Sequence, residues 1–289
     1  MSFKLLTDSD AEIPFSWVSE LHLDFLRMPY AMDGQVYDYD LGEKIDVPAF
    51  YAELRKGKMP TTMMRNAEEI RQFFEPYVRE GQDVLYLGFS SALSGNFQCA
   101  VQAAEELRAD YPDRKLIMVD TLSISMAQGQ IVRCAAEMRD QGKAIEEVAA
   151  WAEENKLRSN AYFTVDDLFH LKRGGRLSGA TALMGTVLNI KPLLRENSAG
   201  QLVQDGKVKS RRKAIVALLE RCLERAEDIE NQEVHILHGD CVEDAHLLEK
   251  MLRERCNPGS VRIHLVGPVI AAHTGPGVLG IVFWGKVRE

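Results

Sequence analysis

Apolar positions in the first half of the chain follow two alternating patterns. Short, nearly solid runs at Phe3 to Thr7, Asp83 to Phe89 and Lys115 to Val119 predict buried parallel strands. Between them, apolar residues return at helical spacing. Asn66, with Glu69 three residues on, forms a capping-box signature ahead of Ile70, Phe73 and Phe74. Further helices are predicted over 98–109, over 125–141 with a stop at Gly142, and over 145–152. This strand-helix alternation predicts a parallel sheet with helices on both faces.

Past residue 152 the pattern changes. Ala161-Tyr162-Phe163 reads as a strand, and Val165 to Leu168 as a helix that Thr164 would cap, ended by Gly174-Gly175. From Leu193 the chain reads strand, turn, strand, with turn signals at Asn197 to Gly200 and at Asp205-Gly206. A charged helix over 211–227 follows, then a strand over 233–237, a helix over 244–255, and strands over 261–266 and 280–284. The expected fold class is two-domain α/β. An N-terminal α/β domain (1–157) precedes a C-terminal α+β domain (158–289) with a mixed or antiparallel sheet. Ala180 to Leu194 is almost wholly apolar apart from Lys191, so it reads as a buried helix or the lining of an apolar cavity.

A chain of 289 residues can bury a core large enough to need neither metal nor disulfide. The net charge of −8 argues against a general nucleic-acid binder. The five cysteines are scattered without CxxC spacing, and the chain starts without an apolar leader. No apolar run reaches membrane-spanning length. These features predict a cytoplasmic protein with reduced thiols.

Polar chemistry gathers where the first-half strands end. Thr7 to Asp10, Ser90 to Asn96 and Asp120 to Ser125 are hydroxyl-rich loops, and Pro60-Thr61-Thr62 precedes the Asn66 helix. In an open parallel sheet such loops share the ligand edge. Hydroxyls and free N–H groups at helix starts bind anions without a cation. The plain alternative is helix capping. Neither a phosphate loop nor GxGxxG is present, and Ser94 lacks the GxSxG context of a hydrolase nucleophile. In the second half, Lys172, Arg173 and Arg176 surround Gly174-Gly175. A helix C-cap accounts for all of these but Arg176. His273 reads either as a satisfied core histidine among apolar residues or as part of an ordered, exposed turn suggested by Gly275-Pro276-Gly277. Strand alternation puts His235 and His238 on opposite faces, which disfavours a shared metal.

In combination these segments resemble the DegV family of bacterial fatty-acid-binding proteins. Thr7 to Ala11 is similar to the family's TDSxAD, Pro60-Thr61-Thr62 to PTS, and Ser90 to Gln98 to SSxLSGTYQ. Leu171 to Ser178 resembles LKKGGRIS, Leu188 to Pro192 is LNIKP, and His273 to Gly277 resembles HxGPG. The resemblance implies two α/β domains holding one fatty acid between them, with the acyl chain in an apolar tunnel. It implies a carboxylate site at Thr61, Thr62, Ser94, Gly95, Asn96 and His273. Arg176, and with it Lys172, Arg173 and Arg211, would stand near the head group or a partner surface. No cofactor other than the bound fatty acid is implied, and no catalytic residue or metal. The implied partner is the catalytic subunit of a fatty acid kinase in phospholipid metabolism, with transient membrane contact allowed and no nucleic acid. One departure stands out: Met63-Met64-Arg65 replaces the family's Gln-Pro-Ser, which bears on the pocket wall and the helix start.

Burying about 15 methylenes at ~0.8 kcal/mol each gives roughly 12 kcal/mol before ordering costs. The tail would therefore supply most of the affinity and the head group the orientation. A carrier is the leading reading. An enzyme with Ser94 or His273 reacting on a small acyl or phosphorylated substrate is the rival. A regulatory protein docking through Lys207 to Lys213 is the third.

Overall fold

The computed structural model describes residues 3–166, 168–177 and 190–289. The chain divides into two compact units. The first comprises Met1–Ala31, Gln35–Ile45 and Thr62–Leu157, and the second Met32–Gly34, Asp46–Thr61 and Arg158–Glu289.

Early elements of the first unit are β1 (Phe3–Asp8), α1 (Phe15–Glu20), β2 (Asp24–Leu26), β3 (Pro29–Met32) and β4 (Gln35–Asp38). Then α2 (Val47–Arg55) belongs to the second unit, and β5 (Thr61–Thr62) marks the return. The first unit continues with α3 (Ala67–Arg79), β6 (Asp83–Gly88), α4 (Asn96–Asp110), β7 (Leu116–Asp120), α5 (Ser125–Asp140) and α6 (Ile145–Asn155). Its sheet has the order β2-β1-β6-β7 and every pairing is parallel. Residues Val84 to Leu87 of β6 are fully buried on both sides, which explains why that strand is a solid apolar run. Helices α3 and α4 pack together, as do α5 and α6, and both pairs cover the sheet. The capping box forms as read: Asn66 Oδ1 accepts from Glu69 N–H at 2.9 Å, and Glu69 Oε2 accepts from Asn66 N–H at 2.8 Å.

The second unit adds β8 (Ser159–Thr164), α7 (Phe169–Gly174), β9 (Ile190–Glu196), β10 (Leu202–Lys209), α8 (Arg211–Arg225) and β11 (Glu233–His238). It closes with α9 (Val242–Arg255), β12 (Ser260–Leu265), α10 (Pro268–Thr274) and β13 (Leu279–Trp284). Its sheet, in the order β10-β9-β8-β13-β11-β12, is antiparallel except for the parallel β11–β12 pair. Helices α8 and α9 bury Ile215, Leu218, Leu219, Leu248 and Leu252 against Ile236, Ile281 and Phe283.

Three expectations change. Val165 and Asp166 are not helical, and the helix starts at Phe169. The Asp166 carboxylate and carbonyl are held by Lys191 Nζ at 2.8 and 2.9 Å, which keeps the exit from β8 out of a helix. Asp205-Gly206 is not a turn but a bulge inside β10, where Gly206 takes φ +137°. His273 sits on α10, not in a turn, because Pro268 starts a helix that ends only at Gly275. Most of the apolar stretch Ala180 to Leu194, with Ser178, Leu188 and Asn189 of the family motifs, lies outside the described residues. Its described part, from Ile190, is strand β9.

Candidate functional site

In the first unit the parallel strands deliver their C-terminal ends to one edge. Beneath it lies a buried polar layer. Thr7 Oγ1 donates to Leu87 O at 2.9 Å, and Asp8 Oδ2 accepts from Tyr86 Oη at 2.8 Å and from Phe89 N–H at 3.1 Å. Burial raises the Asp8 carboxyl above its ordinary range, although these hydrogen bonds pull it back. Asp10 is raised well above its ordinary value, first by burial and then by Asp8 and Glu12. The Thr7 to Asp10 loop is thus a foundation for its neighbours.

The Ser90 to Asn96 loop rests on that layer. Ser90 is buried, and its N–H donates to Ser123 O at 3.1 Å. Ser91 N–H donates to the Asp120 carboxylate at 3.3 Å, which ties β6 and β7 loops together. Ser94 N–H donates to Ser90 O at 3.3 Å. Ser94 Oγ accepts from Asn96 N–H at 3.2 Å, which leaves the hydroxyl's own proton available to donate. Gly95 is the N-cap residue of the 15-residue helix α4 and supplies no side-chain cap. The first-turn amides and the helix dipole therefore favour an anion beside Ser94 and Gly95. The Asn96 side chain is buried and accepts Arg65 N–H at 3.2 Å.

Met63-Met64-Arg65 acquires a physical meaning here. Met63 N–H donates to Pro29 O at 3.2 Å. Arg65 donates to Arg27 O at 3.1 and 3.0 Å, pairs with Glu69 at 2.9 Å and also with Asp38. Its guanidinium is a clamp on the β3–β4 segment, not a head-group ligand. The Met64 sulfur lies over Gly95, 3.1 Å from where a Cβ would stand. Nothing in the sequence pattern pointed to either contact. Thr62 is half-buried in the first unit, and Thr61 is exposed in the second.

The second unit gathers its candidates on α7 and α10, which pack through reciprocal imidazole–glycine contacts. A Cβ on Gly174 would lie 2.2 Å from His273 Nδ1, and one on Gly275 would lie 2.5 Å from the His170 ring. Gly277 likewise leaves no room, because Asp166 Oδ2 would be 2.2 Å away. Gly275 and Gly277 also have φ of +73° and +83°. The glycines of both motifs are thus explained by close approach of His170, Asp166 and His273. Burial pushes His273 down to about 4, helped by Arg176, Arg173 and His170, so it is neutral at pH 7.

The cations divide. Arg173 donates to Pro60 O at 2.9 Å and Ala272 O at 3.2 Å, holding the Pro60-Thr61 segment to α10. Arg176 is exposed and donates to Gly174 O. Lys172 is exposed at the end of α7. Arg211 pairs with Asp244 at 2.8 Å and donates to Cys241 Sγ at 3.3 Å, so it anchors α8 to α9. His235 and His238 part company: His235 Nδ1 lies 3.1 Å from His264 Nε2, while His238 Nδ1 accepts Cys241 N–H at 3.4 Å. Among the described residues no group of three or more His, Cys, Asp or Glu side chains could hold a metal ion. No described helix is long and apolar enough to cross a membrane.

Comparison with known proteins gives a consistent picture. A family model described as "Uncharacterised protein, DegV family" matches residues 2–286. A DegV domain-containing protein of Clostridium perfringens is 41% identical over 287 residues, covering 99% of each chain. The structure of a DegV lipid binding protein from Thermotoga maritima is 30% identical, with TM-score 0.86 and 100% of each chain covered. A structure titled for fatty acid binding by a DegV family protein from Thermus thermophilus is 29% identical, with TM-score 0.88 over 99% of this chain and 100% of that one. DegV from Bacillus subtilis, described as a fatty acid binding protein, is 29% identical with TM-score 0.85, again over 99% and 100%.

Proposed function

The chain belongs to the DegV family, and from that premise we propose that it binds one long-chain fatty acid through its carboxylate. The observation that carries this reading is the Ser94 hydroxyl. It accepts from Asn96 N–H at 3.2 Å, leaving its proton to donate beside Gly95 at the start of α4. Within the same unit Thr62 supplies a further hydroxyl and the Gly95 and Asn96 backbone its amides, and the family resemblance adds Thr61 and His273 as proposed donors. A carboxylate held by several neutral donors stays ionised without a buried ion pair. The named relatives that bind lipid or fatty acid support the ligand class. We further propose that the chain presents this carboxylate to the catalytic subunit of a fatty acid kinase. Exposed Lys172 and Arg176 suit an anionic product or partner. The chain then works as a carrier and the kinase supplies the chemistry.

The rival enzyme reading needs a base on Ser94. The described partner of its hydroxyl is an amide N–H, which cannot take a proton.

Native mass spectrometry of protein purified from a bacterial host tests the proposal. The expected result is one long-chain fatty acid per chain, released on denaturation, or 1:1 uptake of added oleate by stripped protein. Protein that neither carries nor takes up a fatty acid overturns it.

A further inference from the structure

Large exposed apolar side chains are few in the described residues, and three of them are methionines within six positions: Met59, Met63 and Met64, at 40%, 40% and 55% exposure. By contrast, Met28 and Met126 are buried. The Met64 thioether is not free in solvent on all sides. Its sulfur and methyl lie 3.1 and 3.9 Å from the position a Cβ on Gly95 would occupy. The neighbouring Arg65 N–H bonds Asn96 Oδ1 at 3.2 Å, and the Arg65 side chain is clamped to Arg27 O. The backbone under Met64 is therefore fixed, and the thioether is held over Gly95 in a residue exposed enough for small oxidants to reach.

We propose that Met64 is an oxidation site that controls the head-group loop. This rests on the fatty-acid reading. A hydroperoxide is the co-reactant. Its O–O bond breaks as the sulfur lone pair attacks the terminal oxygen, an S–O bond forms, and the departing hydroxide or alkoxide takes the proton from that oxygen and leaves as water or an alcohol. Sulfur is oxidised by two electrons and the peroxide is reduced by two. The product is a sulfoxide, polar and a strong acceptor, in place of an apolar contact. Its oxygen stands beside Gly95 and competes with the fatty-acid carboxylate for the same donors. Oxidation therefore lowers affinity, and methionine sulfoxide reductases A and B restore it.

The test treats purified protein with hydrogen peroxide, maps sulfoxides by peptide mass spectrometry, and titrates a fluorescent fatty acid. Met63→Leu and Met64→Leu are run in parallel, with circular dichroism as the folding control. Wild type and Met63→Leu are expected to lose at least fivefold in affinity on oxidation, and Met64→Leu to lose less than twofold. The amide NMR signals of Gly95 and Asn96 are expected to move on oxidation in wild type but not in Met64→Leu, with no ligand present. An equal loss in Met64→Leu, or Met64 left unoxidised while other methionines react, overturns the proposal. So do Gly95 and Asn96 signals that do not move when Met64 is oxidised. Untreated protein that binds no fatty acid defeats the function reading instead, while the ligand-free NMR arm still decides whether Met64 governs the loop.

Discussion

The Ser90 to Asn96 loop of the first unit and the α7–α10 corner of the second are made of different materials. The loop is neutral, and its hydroxyls and amides bond mostly to its own backbone or to Ser123 and Asp120. The corner interlocks imidazoles with glycines and carries Lys172 and Arg173 on the last turn of α7, with Arg176 just beyond it. In the loop, the Ser94 hydroxyl holds one first-turn amide of α4 and keeps its own proton, so a substitution there alters binding at a modest cost to folding. At the corner, His273 and His170 are packing elements, so the same chemistry cannot be changed without disturbing the fold.

That contrast can be broken at four points. Ser94→Ala with Thr62→Ala removes two hydroxyl donors, and hydrogen bonds to charged groups are worth about 1.5–3 kcal/mol each. At least a thirtyfold loss of fatty-acid affinity is expected by fluorescence titration, with the melting temperature lowered by only a few degrees through the lost Ser94–Asn96 bond. A large fall in melting temperature would show that the loop is as structural as the corner. Gly174→Ala sets a methyl against His273 and is expected to cost roughly 1–3 kcal/mol in urea unfolding, as overpacking does. Unchanged stability would remove the interlock.

The third point is pH. With its folded value near 4, His273 stays neutral while the unfolded chain binds a proton below its ordinary value of 6.5. Its contribution is present above 6.5 and is lost as pH falls from there toward 4. Replacing His273 by Asn is expected to flatten the acid limb of a melting-temperature profile, and an unaltered limb would contradict the cause. His264, also pushed down to about 4 by burial, adds a slope of the same sign that survives this replacement.

In the first unit the sign reverses. Asp10 is raised well above its ordinary value of 3.8, so the folded state holds the proton more tightly. Its contribution is fully present below 3.8 and is lost as pH rises through the folded value. Asp10→Asn is expected to raise the melting temperature slightly at neutral pH, with the gain shrinking on acidification. A loss that is the same at all pH values would mean that the carboxylate is required as such.

Strand and helix order was legible because each unit buries its sheet in a period the sequence displays. Solid runs such as Val84 to Leu87 and the Asn66–Glu69 box are local signals that tertiary packing did not override. Site chemistry was half legible. Hydroxyl loops announce themselves by composition, and the glycine-rich motifs by their spacing. What the glycines are for was not: His170, Asp166 and His273 reach them from other segments, and no local pattern encodes such contacts. The same holds for Arg173 and Arg211, cations whose partners are the distant Pro60 carbonyl and Asp244. The helix expected from Val165 starts only at Phe169 for a similar reason, because Lys191 holds Asp166 from β9.

The central claim is a carboxylate held ionised by the Ser94 loop, and its most direct test is NMR of palmitate labelled with carbon-13 at the carboxyl group. On binding, the labelled carbon is expected to give one sharp resonance that does not titrate between about pH 5 and pH 8. Ser94→Ala is expected to shift it. A resonance that titrates like the free acid and ignores Ser94→Ala would contradict the account.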